Sequence, residues 1–121
     1  MRFTKDHEWI ALEDGVATTG ITAYAAAQLG DIVFVELPAI GRVLEPGDGL
    51  SVVESVKAAS EVYAPLAARV LEANAVLETH PELINQDPEG GAWIARLRLC
   101  DASQIEALMD RTAYDTWLED R

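Results

Sequence analysis

The chain is 121 residues long, half of its residues are hydrophobic, and its formal net charge is −12. A chain of this length can bury about two-thirds of its unfolded surface, so we expect a single domain over residues 1–121. The negative charge repels phosphate backbones and anionic lipid, which argues against nucleic-acid and membrane partners. It suits docking to basic patches on partner proteins, and solubility alone is the alternative explanation.

The cysteine content and the apolar runs limit the compartment and the kind of protein that the sequence can describe. Cys100 is the only cysteine, which excludes an internal disulfide and fits a reducing cytosol. We expect it to be a small packed residue at the end of a strand. No apolar run is long enough to cross a bilayer, and no charged-then-apolar leader opens the chain, so we expect a soluble protein.

The first part of the chain predicts short strands around one helix. Asp14-Gly15 is a turn signal that separates two of the strands. Thr22 is the expected N-cap of a helix over residues 23–29, which ends at Gly30. The predicted strands of this part cover residues 2–4, 8–12, 16–19 and 32–37.

The segment around Lys57 admits two interpretations. Glu54 and Lys57 are three residues apart and two alanines follow, so a short surface helix with an ion pair is one of them. The β-branched and aromatic residues at 50–53 and 62–63 favour two strands instead, with residues 56–58 at the tip of a hairpin. The turn lacks the Asn-Gly or Asp-Gly pair of tight hairpins, so the residues alone support the hairpin only in part.

The last part of the chain predicts further strands and two helices. Asp101 with Gln104 resembles a capping box, and Thr112 with Asp115 is a second capping signal. The expected elements are a strand over 68–73, a helical turn over 80–84, an outer strand over 92–99, a helix over 102–110 and a last helix that ends near 118.

The sequence contains no arrangement of residues that predicts catalysis. Two histidines and one cysteine leave no group at metal-ligand spacing, and there is no Gly-rich phosphate loop or nucleophile elbow. His7 beside Glu8 could form an acid–base pair, but neighbours on a strand point to opposite faces, so we expect no catalysis there. Any difficult reaction would have to be carried out by a group attached to the protein.

One segment of the chain is similar to that of a known protein family. It reads Glu54-Ser55-Val56-Lys57-Ala58-Ala59-Ser60-Glu61, and Val62-Tyr63-Ala64-Pro65 follow it. It resembles the lipoyl-lysine segment of the H proteins of the glycine cleavage system. The resemblance extends along most of the chain, at His7-Glu8-Trp9 and at residues 15–22, 28–33, 35–38, 72–74, 81–85, 87–88 and 91–93.

The resemblance implies that Lys57 carries lipoate through an amide bond. A lipoyl ligase or transferase would recognise the neighbouring residues, which here are Glu54, Ser55, Val56, Ala58 and Ser60. Biotin carriers have a fold similar to that of lipoyl carriers but have methionine on both sides of the lysine. Val56 and Ala58 at these positions therefore count against biotin as the attached group. The alternatives are an ordinary surface lysine and, at Glu54, a solvated charge at a strand end.

The resemblance also implies a fold and a docking site for the lipoyl arm. The fold is mainly β, a barrel-sandwich hybrid like that of lipoyl and biotinyl carriers, with short peripheral helices and a C-terminal helical segment. The many short strands agree with it. The implied arm-docking residues are His7, Glu8 and Glu61, for which ordinary surface polarity is the alternative.

The implied function is that of a carrier with no active site of its own. In this family, glycine decarboxylase, a pyridoxal-phosphate enzyme, loads an aminomethyl group onto the lipoate. A tetrahydrofolate-dependent aminomethyltransferase unloads it, and dihydrolipoamide dehydrogenase reoxidises the dithiol. The implied location is the bacterial cytoplasm, or the mitochondrial matrix if a leader has been removed.

Two other functions remain open. Related lipoate-binding proteins serve sulfur oxidation or pass lipoyl groups to other carriers. A protein of a different class, an unmodified module that docks a partner through its acidic surface, would also fit the charge.

Overall fold

The structure is a computed structural model that describes residues 1–120. Arg121, the end of the predicted domain, lies outside the described residues. The strands are β1 (Arg2–Phe3), β2 (Glu8–Glu13), β3 (Val16–Ile21), β4 (Ile32–Glu36), β5 (Val43–Leu44), β6 (Gly49–Ser55), β7 (Ala59–Tyr63), β8 (Ala68–Ala73) and β9 (Ala95–Leu99). The helices are α1 (Ala23–Leu29), α2 (Val76–Thr79), α3 (Leu83–Gln86), a 3₁₀ helix (Ala102–Ala107) and α4 (Arg111–Glu119).

The strands form two antiparallel sheets that share one core. Six strands pair in the order β1-β2-β3-β9-β8-β5, and three pair in the order β4-β6-β7. The core takes buried side chains such as Ile10 and Leu97 from the larger sheet and Val53 and Val62 from the smaller one. The predicted mainly β sandwich with peripheral helices is therefore confirmed, and the two sheets are not joined into a closed barrel.

Helix α1 begins and ends where the sequence predicts. The Thr22 hydroxyl accepts a hydrogen bond from the Ala25 N–H at 3.2 Å, which caps the first turn. Gly30 ends the helix with a positive φ of 80°, a conformation that other residues rarely adopt. These two local signals fix the position of α1 along the chain.

The prediction of a strand within residues 92–99 is confirmed over Ala95–Leu99, but the outer position predicted for it is wrong. Strand β9 pairs with β3 on one side and with β8 on the other, so it lies inside the larger sheet. The alternation of apolar and polar residues reports that one face of a strand is solvated, and it carries no information about the neighbours at its edges. Cys100 follows β9 directly, but its side chain is exposed rather than packed.

The helical predictions after residue 75 are partly wrong. The expected helical turn over 80–84 is present, because Leu83 and Ile84 donate their N–H groups to the carbonyls three residues earlier. It leads directly into α3, whereas α2 before it was not predicted. Residues 102–107 form a 3₁₀ helix in which Asp101 accepts from the N–H of Ser103, so the capping box with Gln104 does not form. None of the helices in residues 1–120 has the length and the apolar composition needed to cross a membrane.

Helix α4 begins two residues earlier than predicted. Asp110, rather than Thr112, is the N-cap, because its carboxylate accepts a hydrogen bond from the Ala113 N–H at 2.8 Å. Both residues are capping types, and they lie two positions apart in the sequence. Residue type alone therefore does not distinguish them. Further along the helix, Tyr114 is buried against Phe3 and Trp9.

We predict that Asp110→Ala lowers the free energy of unfolding by about 1 kcal/mol, because the first turn of α4 loses its cap. The matched control is Thr112→Ala, an exposed position inside the helix, where we expect a change of about 0.5 kcal/mol or less. Urea denaturation measures both variants. A larger loss in Thr112→Ala than in Asp110→Ala would contradict this assignment of the cap.

Candidate functional site

Lys57 lies at the exposed tip of the hairpin that joins β6 and β7. The structure therefore shows the hairpin, and the alternative of a surface helix is excluded. The Ser55 hydroxyl makes the turn: its oxygen accepts from the N–H groups of Lys57 and Ala58, each at 3.1 Å, and it donates to the Ala58 carbonyl at 3.1 Å. A serine side chain that bonds the following backbone replaces the missing Asn-Gly signal.

A loop outside the small sheet braces the hairpin. The Val56 N–H donates to the Asp31 carbonyl at 3.0 Å. The Asn85 side chain holds this loop on both sides of Asp31, because it accepts from the Ile32 N–H at 2.9 Å and donates to the Gly30 carbonyl at 2.8 Å. The hairpin tip is thus connected by hydrogen bonds to α3, which contains Asn85.

The side chain of Lys57 runs past Gly30. A Cβ atom at this glycine would lie 3.4 Å from Lys57 Cε and 3.7 Å from Nζ. These are ordinary contact distances, so the positive φ that ends α1, rather than lack of space, is what favours glycine at this position.

The predicted recognition residues differ in their exposure. Glu54, Val56 and Ala58 are exposed around the lysine, and the exposed fraction of Val56 is 67%. Ser55 is buried under the turn, and Ser60 is half-buried beside the cleft described next. Within residues 1–120, no ion pair joins Glu54 to Lys57.

A cleft of about 300 Å³ lies between α1 and β7. We call it the α1–β7 cleft. The three predicted arm-docking residues all line it, although His7 and Glu8 are more than fifty positions from Glu61 in the sequence. Its other lining residues are Asp6, Ile21, Tyr24, Ala25, Gln28, Leu29, Ser60 and Val62.

The expectation that His7 and Glu8 point to opposite faces is wrong. His7 precedes β2 and has a φ of 63°, in the left-handed region, so the alternation of a strand does not apply to it. Both side chains consequently line the same cleft.

Glu8 is buried, and its carboxylate is bonded at both oxygens. Oε1 accepts from the Thr4 hydroxyl at 3.0 Å, and Oε2 accepts from the Tyr63 N–H at 2.8 Å. Burial raises the pKa of Glu8 from 4.5 to about 7, although these two hydrogen bonds lower it, and the nearby charge of Asp6 adds to the increase. Glu8 therefore changes its charge near neutral pH, unlike an ordinary carboxylate on the surface.

Aromatic residues surround His7 on the other side. Its Nδ1 lies 2.8 Å from the Tyr114 hydroxyl, and its ring centroid is 4.7 Å from that of Tyr24 and 5.4 Å from that of Trp117. Burial is the main reason why the pKa of Tyr114 is raised. The structure shows no convergent group of three possible metal ligands anywhere in residues 1–120.

Sequence analysis missed several residues that build this site. Tyr24 and Gln28 line the cleft from α1, and their spacing of four places them on one helix face, which is a signal that the sequence offers. Asn85 and Tyr114 are joined to the site only by the folded chain, because their partners are 53 and 107 positions away. No local pattern identifies such residues.

Comparisons with known proteins agree along the whole chain. A sequence model of the family described as glycine cleavage H-protein matches residues 1–121. Over 118 residues, which are 98% of each chain, the protein is 57% identical to the glycine cleavage system H protein of Phenylobacterium zucineum and 58% identical to that of Caulobacter vibrioides. The crystal structure of a glycine cleavage system H protein from Mycobacterium marinum has a TM-score of 0.87 and 32% identity, and the match covers 97% of this chain and 94% of that one. With one fold, one family model and close relatives in agreement, this chain belongs to the glycine cleavage H-protein family.

Proposed function

We propose that Lys57 carries lipoate and that the protein is thereby the lipoyl carrier of a glycine cleavage system. Membership of the family makes it a carrier subunit rather than an enzyme, and the family is one that carries lipoate. The observation that carries the assignment of the site is the position of Lys57, exposed at the tip of a braced hairpin and next to a cleft.

The surroundings of Lys57 suit an amine that another enzyme acylates. A target side chain must protrude from a rigid support so that the enzyme can reach it. Glu54, Val56 and Ala58 are exposed at the tip and are available for contact with a lipoyl ligase or transferase. Ser55 is buried, so its contribution is to shape the turn, and Ser60 contributes at the edge of the cleft.

The α1–β7 cleft fits a short tethered chain. Its volume of about 300 Å³ is at the lower end for small-molecule sites. Ile21, Leu29 and Val62 give it apolar walls that suit a hydrocarbon arm, and Leu29 immediately precedes the glycine beside the Lys57 stem. Acylation removes the ammonium charge of the lysine, which lowers the cost of placing the arm in such a cleft.

The polar groups of the cleft suit a cationic amine. When bound, lipoate supplies a dithiolane that accepts an aminomethyl group from glycine and is reduced in doing so. Glu8 then places a carboxylate in the cleft that can accept charge-assisted hydrogen bonds from an ammonium group, whereas the Glu61 carboxylate lies against Gly49. An ammonium beside Glu8 would favour its charged form and so oppose the effect of burial on its pKa.

The partners follow from this role. They are glycine decarboxylase with pyridoxal phosphate, the tetrahydrofolate-dependent aminomethyltransferase, dihydrolipoamide dehydrogenase and a lipoyl ligase or transferase. Tethering to the carrier gives the arm a high effective concentration at each docked enzyme, and the charge of −12 raises the rate of encounter with basic surfaces. We propose that the chain acts as one domain in the bacterial cytoplasm. The relatives' names favour glycine cleavage over sulfur oxidation or lipoyl relay.

We predict that Lys57→Arg folds normally but supports no glycine-dependent exchange of carbon dioxide, because arginine keeps the charge and cannot form the amide. The matched control is Lys5→Arg, since the chain contains only these two lysines. Exchange of labelled bicarbonate with glycine, in the presence of the decarboxylase and a lipoylating enzyme, measures both. Full exchange with Lys57→Arg would refute the proposed site.

Ser55→Ala should destabilise the protein by about 1–2 kcal/mol and slow lipoylation of Lys57, because the turn loses the hydrogen bonds of the hydroxyl. Urea denaturation and the initial rate of lipoate attachment test this. Ser51→Ala is the control, since its hydroxyl bonds the Glu36 carbonyl outside the turn, so this variant should lose stability without slower lipoylation. If the two variants were equally good substrates, the turn would not be what presents the lysine.

The stability of the protein should respond to the charge of Glu8. Its pKa is raised in the folded state, so between pH 4.5 and about 7 the folded chain holds a proton that the unfolded chain has released. Stability from this group is therefore greatest below pH 4.5 and is lost as the pH rises towards 7.

In Glu8→Gln this contribution is absent. We predict that the stability of the variant relative to the wild type increases by about 2 kcal/mol or more between pH 4.5 and pH 7.5. Urea denaturation at a series of pH values gives the difference, in which the other titrating groups cancel. Parallel stability curves for the two proteins would show that Glu8 is not the buried titrating group.

A further inference from the structure

We propose that Tyr114 is a positioning residue for the α1–β7 cleft: its hydroxyl sets the orientation and the protonated nitrogen of His7. The inference rests on the proposed function, because it concerns the cleft beside Lys57. Tyr114 is itself no part of the cleft lining. It belongs to α4, and its side chain is only 1% exposed.

The Tyr114 hydroxyl joins two parts of the cleft wall. It lies 2.8 Å from His7 Nδ1 and 2.8 Å from the Thr22 hydroxyl. Thr22 is the N-cap of α1, which supplies one side of the cleft, and its backbone N–H donates to the His7 carbonyl at 3.0 Å. One buried hydroxyl thus connects the histidine to the start of the helix opposite β7.

The two hydrogen bonds of the Tyr114 hydroxyl, with Thr22 and with His7, can run in either of two directions. In one, Thr22 donates to Tyr114 and Tyr114 donates to His7 Nδ1, which places the single ring proton on Nε2. In the other, His7 Nδ1 carries a proton and donates to Tyr114, which donates to Thr22. The direction in which the Tyr114 hydroxyl points therefore decides which ring nitrogen of His7 is protonated. Because His7 lines the cleft, this choice changes the hydrogen-bonding groups that the cleft offers.

Ring packing alone cannot make this selection. The rings of Tyr24 and Trp117 lie within 5.4 Å of the His7 ring and restrict its rotation, but ring faces contact both tautomers alike. The left-handed backbone of His7, with a φ of 63°, is a further constraint on where the imidazole lies. The hydrogen bond with Tyr114, in contrast, engages Nδ1 and not Nε2.

Helix α4 is held firmly enough to perform this role. Tyr114 stacks on Phe3 with ring centroids 4.8 Å apart, and Phe3 and Met109 exchange two backbone hydrogen bonds. Arg111 forms a salt bridge with Glu89, whose other oxygen accepts from the Ala23 N–H at 2.8 Å. Because the ring and these contacts persist in Tyr114→Phe, that variant should fold and lose only the hydroxyl.

The first test is spectroscopic and uses the lipoylated protein. The ¹⁵N chemical shifts of the His7 imidazole in the wild type should report one dominant tautomer, and Tyr114→Phe should give a mixture of both. Thr116→Val is the matched control, because it removes a hydroxyl from an exposed position of the same helix. It should leave the His7 signals unchanged. Identical His7 signals in Tyr114→Phe and the wild type would overturn the proposal.

The second test asks whether the effect of Tyr114 on the His7 tautomer matters for the function of the cleft. We expect the kcat/KM of glycine-dependent carbon dioxide exchange, measured with lipoylated carrier, to fall about threefold to tenfold in Tyr114→Phe. In a His7→Asn background, the same substitution should have no further effect, because it acts through His7. Asparagine is chosen since it tolerates the positive φ of this position.

The outcomes separate the two proposals. Additive losses in the double variant, or a changed His7 spectrum with unchanged kcat/KM, would overturn the positioning role while Lys57 remained the carrier site. If mass analysis showed no lipoate on Lys57 of the wild type, the proposed function would fail instead. The His7 spectra of the unmodified protein would then still decide whether Tyr114 selects the tautomer.

Discussion

The hydrogen bonds between the Ser55 side chain and the backbone after it determine how this protein presents its lysine. They close the β6–β7 turn, and the bond from Val56 to Asp31 keeps the turn against the rest of the fold. A tip that is fixed on both sides costs an approaching enzyme little entropy to recognise. The two sheets and their common core serve to support this tip.

The proposed function also requires a place for the lipoyl arm when no partner is docked. The α1–β7 cleft is assembled from segments that are distant in sequence, with Glu8 from the start of β2, Leu29 from α1 and Glu61 from β7. The Glu8 carboxylate and the apolar walls of the cleft suit different ends of one tethered ligand. Because Glu8 is buried and has a pKa of about 7, the charge of the cleft depends on what occupies it.

The sequence predicted the elements with local signals and left the long-range contacts undefined. Helix α1 was located correctly, because a capping threonine and a terminal glycine define its ends. The sequence alone did not decide between a hairpin and a helix around Lys57, since the turn depends on a serine side chain rather than on an Asn-Gly pair. The predicted start of α4 was wrong because Asp110 and Thr112 are both capping residue types, so the sequence alone did not choose between them. The bond between His7 and Tyr114 spans 107 positions, and no local pattern encodes it.

The most direct measurement is mass analysis of the protein isolated from its own cells, followed by peptide mapping. The account predicts one lipoyl group per chain, located on Lys57, with Lys5 unmodified. Growth of cells that cannot make or take up lipoate should remove this mass increase. A protein that supports glycine cleavage while its Lys57 amine is unmodified would contradict the central claim.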